Sequence, residues 1–240
     1  MPNSWFQFKE FRINQNKTAM KVGTDGVLLG AWTNYLNASS ILDIGTGTGL
    51  IALIAAQRTI ASNITAIDID INSYIQANEN IKESKWTDRI IVYNISYTDF
   101  YKSHNNKFDL VITNPPFHDE SILSPNKLRD TARNSQNLSL TEIFEGCEKI
   151  LSCKGSLSII LPSKKIPELI TLCKTYNYFI NRKTEVKPTE TKECHRVLLQ
   201  ISKHSNEYIE NCLVIEREKR HHYSDDFKNL TNDLYLSFKY

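Results

Sequence analysis

The sequence predicts an α/β fold built on a mostly parallel sheet with helices on both faces. Three observations carry that prediction. From Ser40 onward, short apolar runs alternate with amphipathic stretches. A glycine-rich turn, Gly45-Thr46-Gly47-Thr48-Gly49, lies where one apolar run gives way to a helical stretch. A second turn, Asn114-Pro115-Pro116-Phe117, closes a later run. Strands buried on both faces read as unbroken apolar runs, and parallel neighbours need a crossover helix between them.

Trp5 to Ile13 alternates apolar and polar residues (Phe6, Phe8, Phe11, Ile13), which predicts a short strand or hairpin. Thr24-Asp25-Gly26 before Val27-Leu28-Leu29 reads as a helix start capped by Thr or Asp. Strands are expected at Ile41–Ile44, Ile64–Ile67, Arg89–Tyr93, Phe108–Thr113, Gly155–Leu161, Tyr176–Val186 and Arg196–Lys203. Helices are expected at Leu50–Arg58, Ile71–Glu83, Leu140–Leu151 and Lys164–Thr175. The polar segment Asp119–Asn137 is the best candidate for a functional loop.

The chain has 240 residues, 40% hydrophobic and 23% charged, which suits a globular core and excludes a disordered or fibrous protein. Its net charge of +2 permits a nucleic-acid partner without demanding one. Five cysteines, none in a C-x-x-C pair, and no His/Cys cluster of ligand spacing argue against a metal site and fit a reducing compartment. Met1 to Lys17 has no apolar signal core, and the longest apolar runs, Leu50–Ala56 and Leu157–Leu161, are too short for a bilayer. A cytoplasmic protein is therefore expected, with no membrane partner.

The glycine turn has the spacing G-x-G-x-G, not the G-x-G-x-x-G of dinucleotide sites. Glycines let the backbone turn tightly and approach a ligand with no Cβ in the way. Asp43, just before the turn, would repel a pyrophosphate but could accept bonds through water from an ammonium group. Roughly twenty residues on, Asp68 of Ala66-Ile67-Asp68-Ile69-Asp70 ends the second strand, where an acid can hold ribose hydroxyls. Together these describe a nucleoside-cofactor site at the carboxyl ends of parallel strands.

In Asn114-Pro115-Pro116-Phe117, two prolines fix φ and remove two backbone donors. The Asn114 side-chain oxygen and the Pro115 carbonyl can then both accept from one NH2 group. That draws the nitrogen lone pair out of conjugation and aims it at an electrophile. Phe117 offers a flat face for stacking a base, a contact of about 1–3 kcal/mol. No carboxylate base is needed before the amine attacks the methyl of a sulfonium. Catalysis then rests on positioning and preorganised dipoles.

These motifs resemble those of class I S-adenosylmethionine-dependent methyltransferases, with Asp43, Gly45, Thr46, Gly47, Gly49, Asp68 and Ile69 as cofactor residues. Asn114 to Phe117 resembles the (N/D)PP(Y/F/W) motif of amino-methyltransferases, shared by adenine N6, cytosine N4 and protein glutamine N5 enzymes. Phe8-Lys9-Glu10-Phe11, Asn16 and Ala19 to Trp32 are similar to the bacterial tRNA1(Val) adenine N6-methyltransferase family, and the similarity extends over almost the whole chain. The resemblance implies a Rossmann-like sheet of seven strands, the last antiparallel. It also implies that Met20 to Asp25 line the cofactor pocket, Lys21, Thr24 and Asp25 among them. Many class I enzymes place an Asp at the end of the third strand to hold the cofactor adenine; here Ser96, or Asp99 a little later, takes that place.

The implied substrate is an adenosine beside the anticodon of a tRNA, and the implied cofactor is S-adenosylmethionine. Arg129, Arg133, His195 and Arg196 are the expected substrate contacts, with the cluster Arg217, Lys219, Arg220, His221, His222 and Tyr223 as a further basic face. Most surface Lys and Arg are only solvated, so no single one carries the reading. The chain divides on this view into residues 1–38, a strand and helix segment capping the cofactor site, and residues 39–240, the methyltransferase domain. A monomer is favoured. The alternative use of the same Asn-Pro-Pro turn is methylation of a protein glutamine in release factors; those enzymes usually carry an N-terminal helical substrate domain, and this chain reaches its first sheet strand by about Ile41.

Overall fold

A computed structural model describes residues 3–61, 63–116 and 138–238. Phe117, His118, the loop Asp119–Asn137, Arg129 and Arg133 lie outside the described residues.

The chain opens with a hairpin, β1 (Trp5–Gln7) antiparallel to β2 (Arg12–Asn14), as the alternation predicts. Helix α1 (Thr24–Trp32) follows. Its N-cap is Gly23, with no side-chain cap. Thr24 and Asp25 thus belong to the first turn, which corrects the expected Thr or Asp cap. An acid there still opposes the partial positive charge of the helix start.

Strand and helix then alternate through β3 (Ser40–Ile44), α2 (Leu50–Arg58), β4 (Asn63–Asp68), α3 (Ile71–Lys82), β5 (Ile90–Asn94), α4 (Tyr97–Ser103) and β6 (Phe108–Thr113). After the residues outside the description come α5 (Leu140–Ile150), β7 (Leu151–Pro162), a 3-10 turn (Ser163–Lys165) and α6 (Ile166–Thr175). The chain closes with β8 (Phe179–Thr189), β9 (Arg196–Ser202), β10 (Ile209–Glu216) and α7 (Asp225–Thr231). The start of β8 lies three residues later than expected, because Asn177 takes a left-handed φ of 55° that ends α6 first.

The sheet has eight strands in the order β10-β8-β9-β7-β6-β3-β4-β5. Strands β5, β4, β3, β6 and β7 are mutually parallel, and β9 runs antiparallel between β7 and β8. The expected seven-stranded sheet with an antiparallel last strand is therefore present, and its count is corrected by one. The eighth strand, β10, adds to the edge parallel to β8. Its first four residues are exposed, and its apolar stretch is only Cys212-Leu213-Val214-Ile215, between the polar residues Glu210-Asn211 and Glu216.

Successive strand residues point to opposite faces, and each face has its own core. Ile41 and Ile112 pack with α1, α2, α3 and α7 through Leu28, Leu53, Ala77 and Phe227. Leu42 and Val111 pack with α4, α5 and α6 through Phe100, Phe144 and Leu169. The sheet order reverses between β3 and β6, so the chain leaves these neighbours toward opposite faces. Such a switch point opens a crevice at the carboxyl ends of the strands.

Candidate active site

A cleft of about 820 Å³ lies in that crevice. Its floor is the glycine turn after β3. Gly45 and Gly47 have φ of 70° and 58°, a left-handed backbone that favours glycine. A Cβ built on either residue meets nothing within 4 Å. The turn therefore presents bare backbone to open space. The Gly45 and Thr46 amides donate to the Ile67 carbonyl at 2.9 and 3.0 Å, which ties the turn to the end of β4.

Asp68 forms the next wall. Its Oδ2 accepts from the Gly47 amide at 2.8 Å and its Oδ1 from the Asp70 amide at 2.9 Å. Burial pushes its pKa up against those bonds. The Asn94 side chain donates to the carbonyls of Asp68 and Ile69 at 2.9 and 3.0 Å and fixes the bend after β4. Ile69, Ile95 and Ser96 line the cleft beyond it. Of the two candidates at the third strand end, Ser96 lines the cleft and Asp99 does not. The Ser96 hydroxyl also caps α4, accepting from the Asp99 amide and donating to the Asp99 carboxylate at 2.7 Å.

Asn114, Pro115 and Pro116 form the opposite wall. Thr113 Oγ1 donates to the Ile44 carbonyl at 3.1 Å, so the end of β6 is held to the end of β3. The Asn-Pro-Pro turn thus faces the same space as the glycine turn. Gly26 of α1 backs it: a Cβ there would stand 3.9 Å from Asn114 Nδ2 and 3.2 Å from Leu50 Cδ2.

The roof is a strap formed by Lys17, Thr18, Ala19 and Met20. Side-chain amides fasten it. The Asn14 amide donates to Asn80 Oδ1 at 2.8 Å, Lys17 N to Gln76 Oε1 at 3.1 Å, and Val22 N to Gln15 Oε1 at 2.8 Å. Lys17 also pairs with Glu79. Gln76 and Asn80 are buried and stand on α3, so the helix that follows the ribose-side acid also carries the strap.

Residues 22–179 match the methyltransferase small domain family. The chain is 41% identical over 239 residues to the tRNA1(Val) (adenine(37)-N6)-methyltransferase of Christiangramia forsetii, covering 98% of this chain and 99% of that one. It belongs to the tRNA1(Val) (adenine(37)-N6)-methyltransferase family. The fold is that of a predicted O-methyltransferase from Agrobacterium tumefaciens, with a TM-score of 0.69 at 18% identity over 88% of this chain and 96% of that one. It is also that of Mycoplasma capricolum TrmK, whose structure holds S-adenosyl-homocysteine, with a TM-score of 0.54 at 17% identity over 79% and 71%.

Within this family member, the cleft gathers Gly45, Gly47, Asp68, Ile69, Ser96, Asn114, Pro115 and Pro116 from the residues the sequence singles out. Others stand elsewhere. Asp43, expected among the cofactor residues, does not line the cleft; its carboxylate is fully buried behind the turn. Oδ2 accepts from Thr46 Oγ1 at 2.6 Å and from the Ala52 amide at 3.2 Å, while Oδ1 has no partner among the described residues. Burial pushes its pKa up to about 7. Thr46 is spent on Asp43, and Gly49 is the left-handed N-cap of α2, where an added Cβ would stand 3.5 Å from Ala77.

The expected lining segment Met20–Asp25 is shifted toward the N-terminus. Met20 lines the cleft, whereas Lys21, Thr24 and Asp25 do not. Lys21 reaches the Asn3 carbonyl at 3.4 Å. Asp25 pairs with Arg196 at 2.7 Å, so one expected cofactor residue binds one expected substrate residue. His195 is exposed, and its backbone joins Val186 and Ser163. Sequence reasoning did not place Lys17–Ala19 in the cofactor pocket, whose expected segment begins at Met20, and it missed Glu142, which lines the cleft as the capping-box residue of α5. The S/T-x-x-E pattern at Ser139 was the available signal for Glu142. Among the described residues, no group of His, Cys, Asp and Glu could hold a metal, and no helix is long and apolar enough to cross a membrane.

Proposed function

We propose that this chain transfers a methyl group from S-adenosylmethionine to the N6 amine of adenine 37 in tRNA1(Val). The observation that carries the reading is the meeting of two turns in one cleft: bare glycine backbone after β3 and Asn114-Pro115-Pro116 after its neighbour β6. The residues present fit the cofactor. Gly45 and Gly47 leave the room a bound nucleoside would need, and Asp43 keeps one buried, unpartnered oxygen behind the turn. When bound, the cofactor supplies an electrophilic methyl on a sulfonium.

The chain's own residues do the rest. Asp68 accepts from ribose hydroxyls on the lone pairs its two backbone amides leave free. Asn114 Oδ1 and the Pro115 carbonyl accept the two amine protons, which pulls the nitrogen toward a pyramidal, nucleophilic form. Neither group has to reorient as the nitrogen gains positive charge, so their dipoles stabilise it in the transition state. The strap Lys17–Met20, part of residues 1–38, closes over the cofactor side and excludes water. A loop adenosine is already partly unstacked, so its extrusion is cheaper than from a duplex.

Incubation with labelled cofactor and tRNA, followed by nucleoside mass analysis, should yield N6-methyladenosine. Asn114→Ala should lower turnover about 100-fold or more and leave cofactor affinity near that of the parent in calorimetry. Lost cofactor affinity with unchanged turnover would remove Asn114 from the amine site.

A further inference from the structure

A second cavity, of about 690 Å³, opens beside the first. Its lining joins aromatic rings to a guanidinium and an imidazole: Phe6, Tyr223, Tyr235 and Phe238 with Arg220 and His222. Val22, Gly23 and Thr24 complete the wall. Met20 lines the active cleft and Val22 lines this cavity, so the two rims meet within two residues of one strap, about 7 Å of extended backbone.

The rings are fixed in place. Tyr223 stacks on Phe227 with centroids 5.0 Å apart, and Phe238 stands edge-on to Tyr223 at 5.6 Å. Arg220 and His222 sit on a tight turn. Arg217 N donates to the His222 carbonyl at 2.7 Å, His222 N to the Lys219 carbonyl at 3.0 Å, and His221 N to Glu216 Oε1 at 2.9 Å. His221 takes a left-handed φ of 67° at this turn. Arg217 is already paired with Asp225. Arg220 is exposed and makes no ion pair among the described residues. A guanidinium with no ion pair among the described residues, beside partly open aromatic faces, is the chemistry that takes single-stranded nucleotides: rings stack the base and the cation takes the phosphate.

We propose that this cavity is a second base subsite, which takes a nucleotide flanking the target adenosine of the same RNA, with Arg220 on its phosphate. The proposal rests on the tRNA reading above. Splaying the neighbour into its own pocket would hold the target base out of the stack. The subsite would then set RNA affinity without touching the methyl transfer itself.

The test uses the full chain and an anticodon stem-loop RNA. Arg220→Glu should raise KM for the RNA about tenfold, change kcat much less, and reduce the log-log salt slope of binding by about one. Lys154→Glu carries the same charge change at an exposed position where β7 begins, at the opposite end of the sheet from the cleft, and should leave KM unchanged. Abasic RNAs test the ring contribution: removing the base on one side of the target adenosine should weaken binding about tenfold. That loss should shrink in the Phe238→Ala variant. An RNA KM and salt slope unchanged by Arg220→Glu, or equal binding of both flanking abasic RNAs and the intact RNA, would overturn the subsite. If the parent enzyme methylates no RNA at all, the functional reading falls first; if it methylates RNA and these changes are silent, only the subsite falls.

Discussion

Asp43 illustrates how a residue can be legible in type and illegible in place. An acid before the glycine turn is visible in the sequence. Its complete burial, and the bonds from Thr46 and Ala52, are not. Burial raises its pKa from 3.8 to about 7, because a charged carboxylate is costly away from water. The folded state therefore holds a proton that the unfolded chain releases near pH 4. Its contribution to stability is full below that pH and is lost as pH rises through about 7. Relative to Asp43→Asn, the cofactor-free parent should lose unfolding free energy between pH 4 and 7. The slope should approach about 1.4 kcal/mol per pH unit and level off above. Parallel pH–stability curves for the two proteins, from urea titrations, would contradict the buried acid. Asn114 is the converse case. Its role is read from the two prolines beside it, and the structure adds only which wall it occupies.

At the scale of elements, long regular patterns are legible and short ones are not. Helix α2 and strand β6 begin and end where the apolar pattern places them. Helix α4 escaped notice because YTDFYKS is short and mixes aromatic with polar residues. It forms because Tyr97, Phe100 and Tyr101 are buried in the same core as α5. Strand β10 has only the short apolar run Cys212–Ile215 and is completed by pairing along the edge of β8. Close approach of elements is also hidden. A Cβ on Gly30 of α1 would lie 2.9 Å from Ile54 Cδ1 and 3.0 Å from its Cγ2 on α2. Gly30→Ala should therefore destabilise by about 1–3 kcal/mol, since a packed core accommodates an added methyl only by shifting. Gly23→Ala, whose Cβ meets only the Lys21 carbonyl at 3.8 Å, should be near neutral. Equal melting temperatures for the two variants would deny the tight α1–α2 contact.

The whole molecule is closed by a clasp between its ends. The Lys9 amide donates to the Leu234 carbonyl at 2.8 Å, and Phe8 stands opposite Tyr235 in an isolated antiparallel bridge. Arg58, at the end of α2, fastens the clasp to the body. It binds Asp233 through Nε at 3.0 Å and the Leu230 carbonyl through Nη2 at 2.7 Å, and it also donates to the Ala31 carbonyl. Arg58→Ala should cost about 2–3 kcal/mol, the range for charge-assisted bonds that leave their acceptors behind. The denaturation midpoint in urea should fall accordingly; an unchanged midpoint would mean that the clasp closes without Arg58.

What the sequence by itself determined is the alternation of the main strands and helices from Ser40 to Lys203, the two turns that make the site, and the family. Those features are local: apolar period, glycine and proline placement, and an acid at the end of a strand depend on neighbours along the chain. Tertiary structure alone decided the eighth strand, the burial of Asp43, the pairing of Asp25 with Arg196, and the shift of the roof to Lys17–Met20. Each of these joins residues far apart in the chain, and such contacts are set by which surfaces must be buried together.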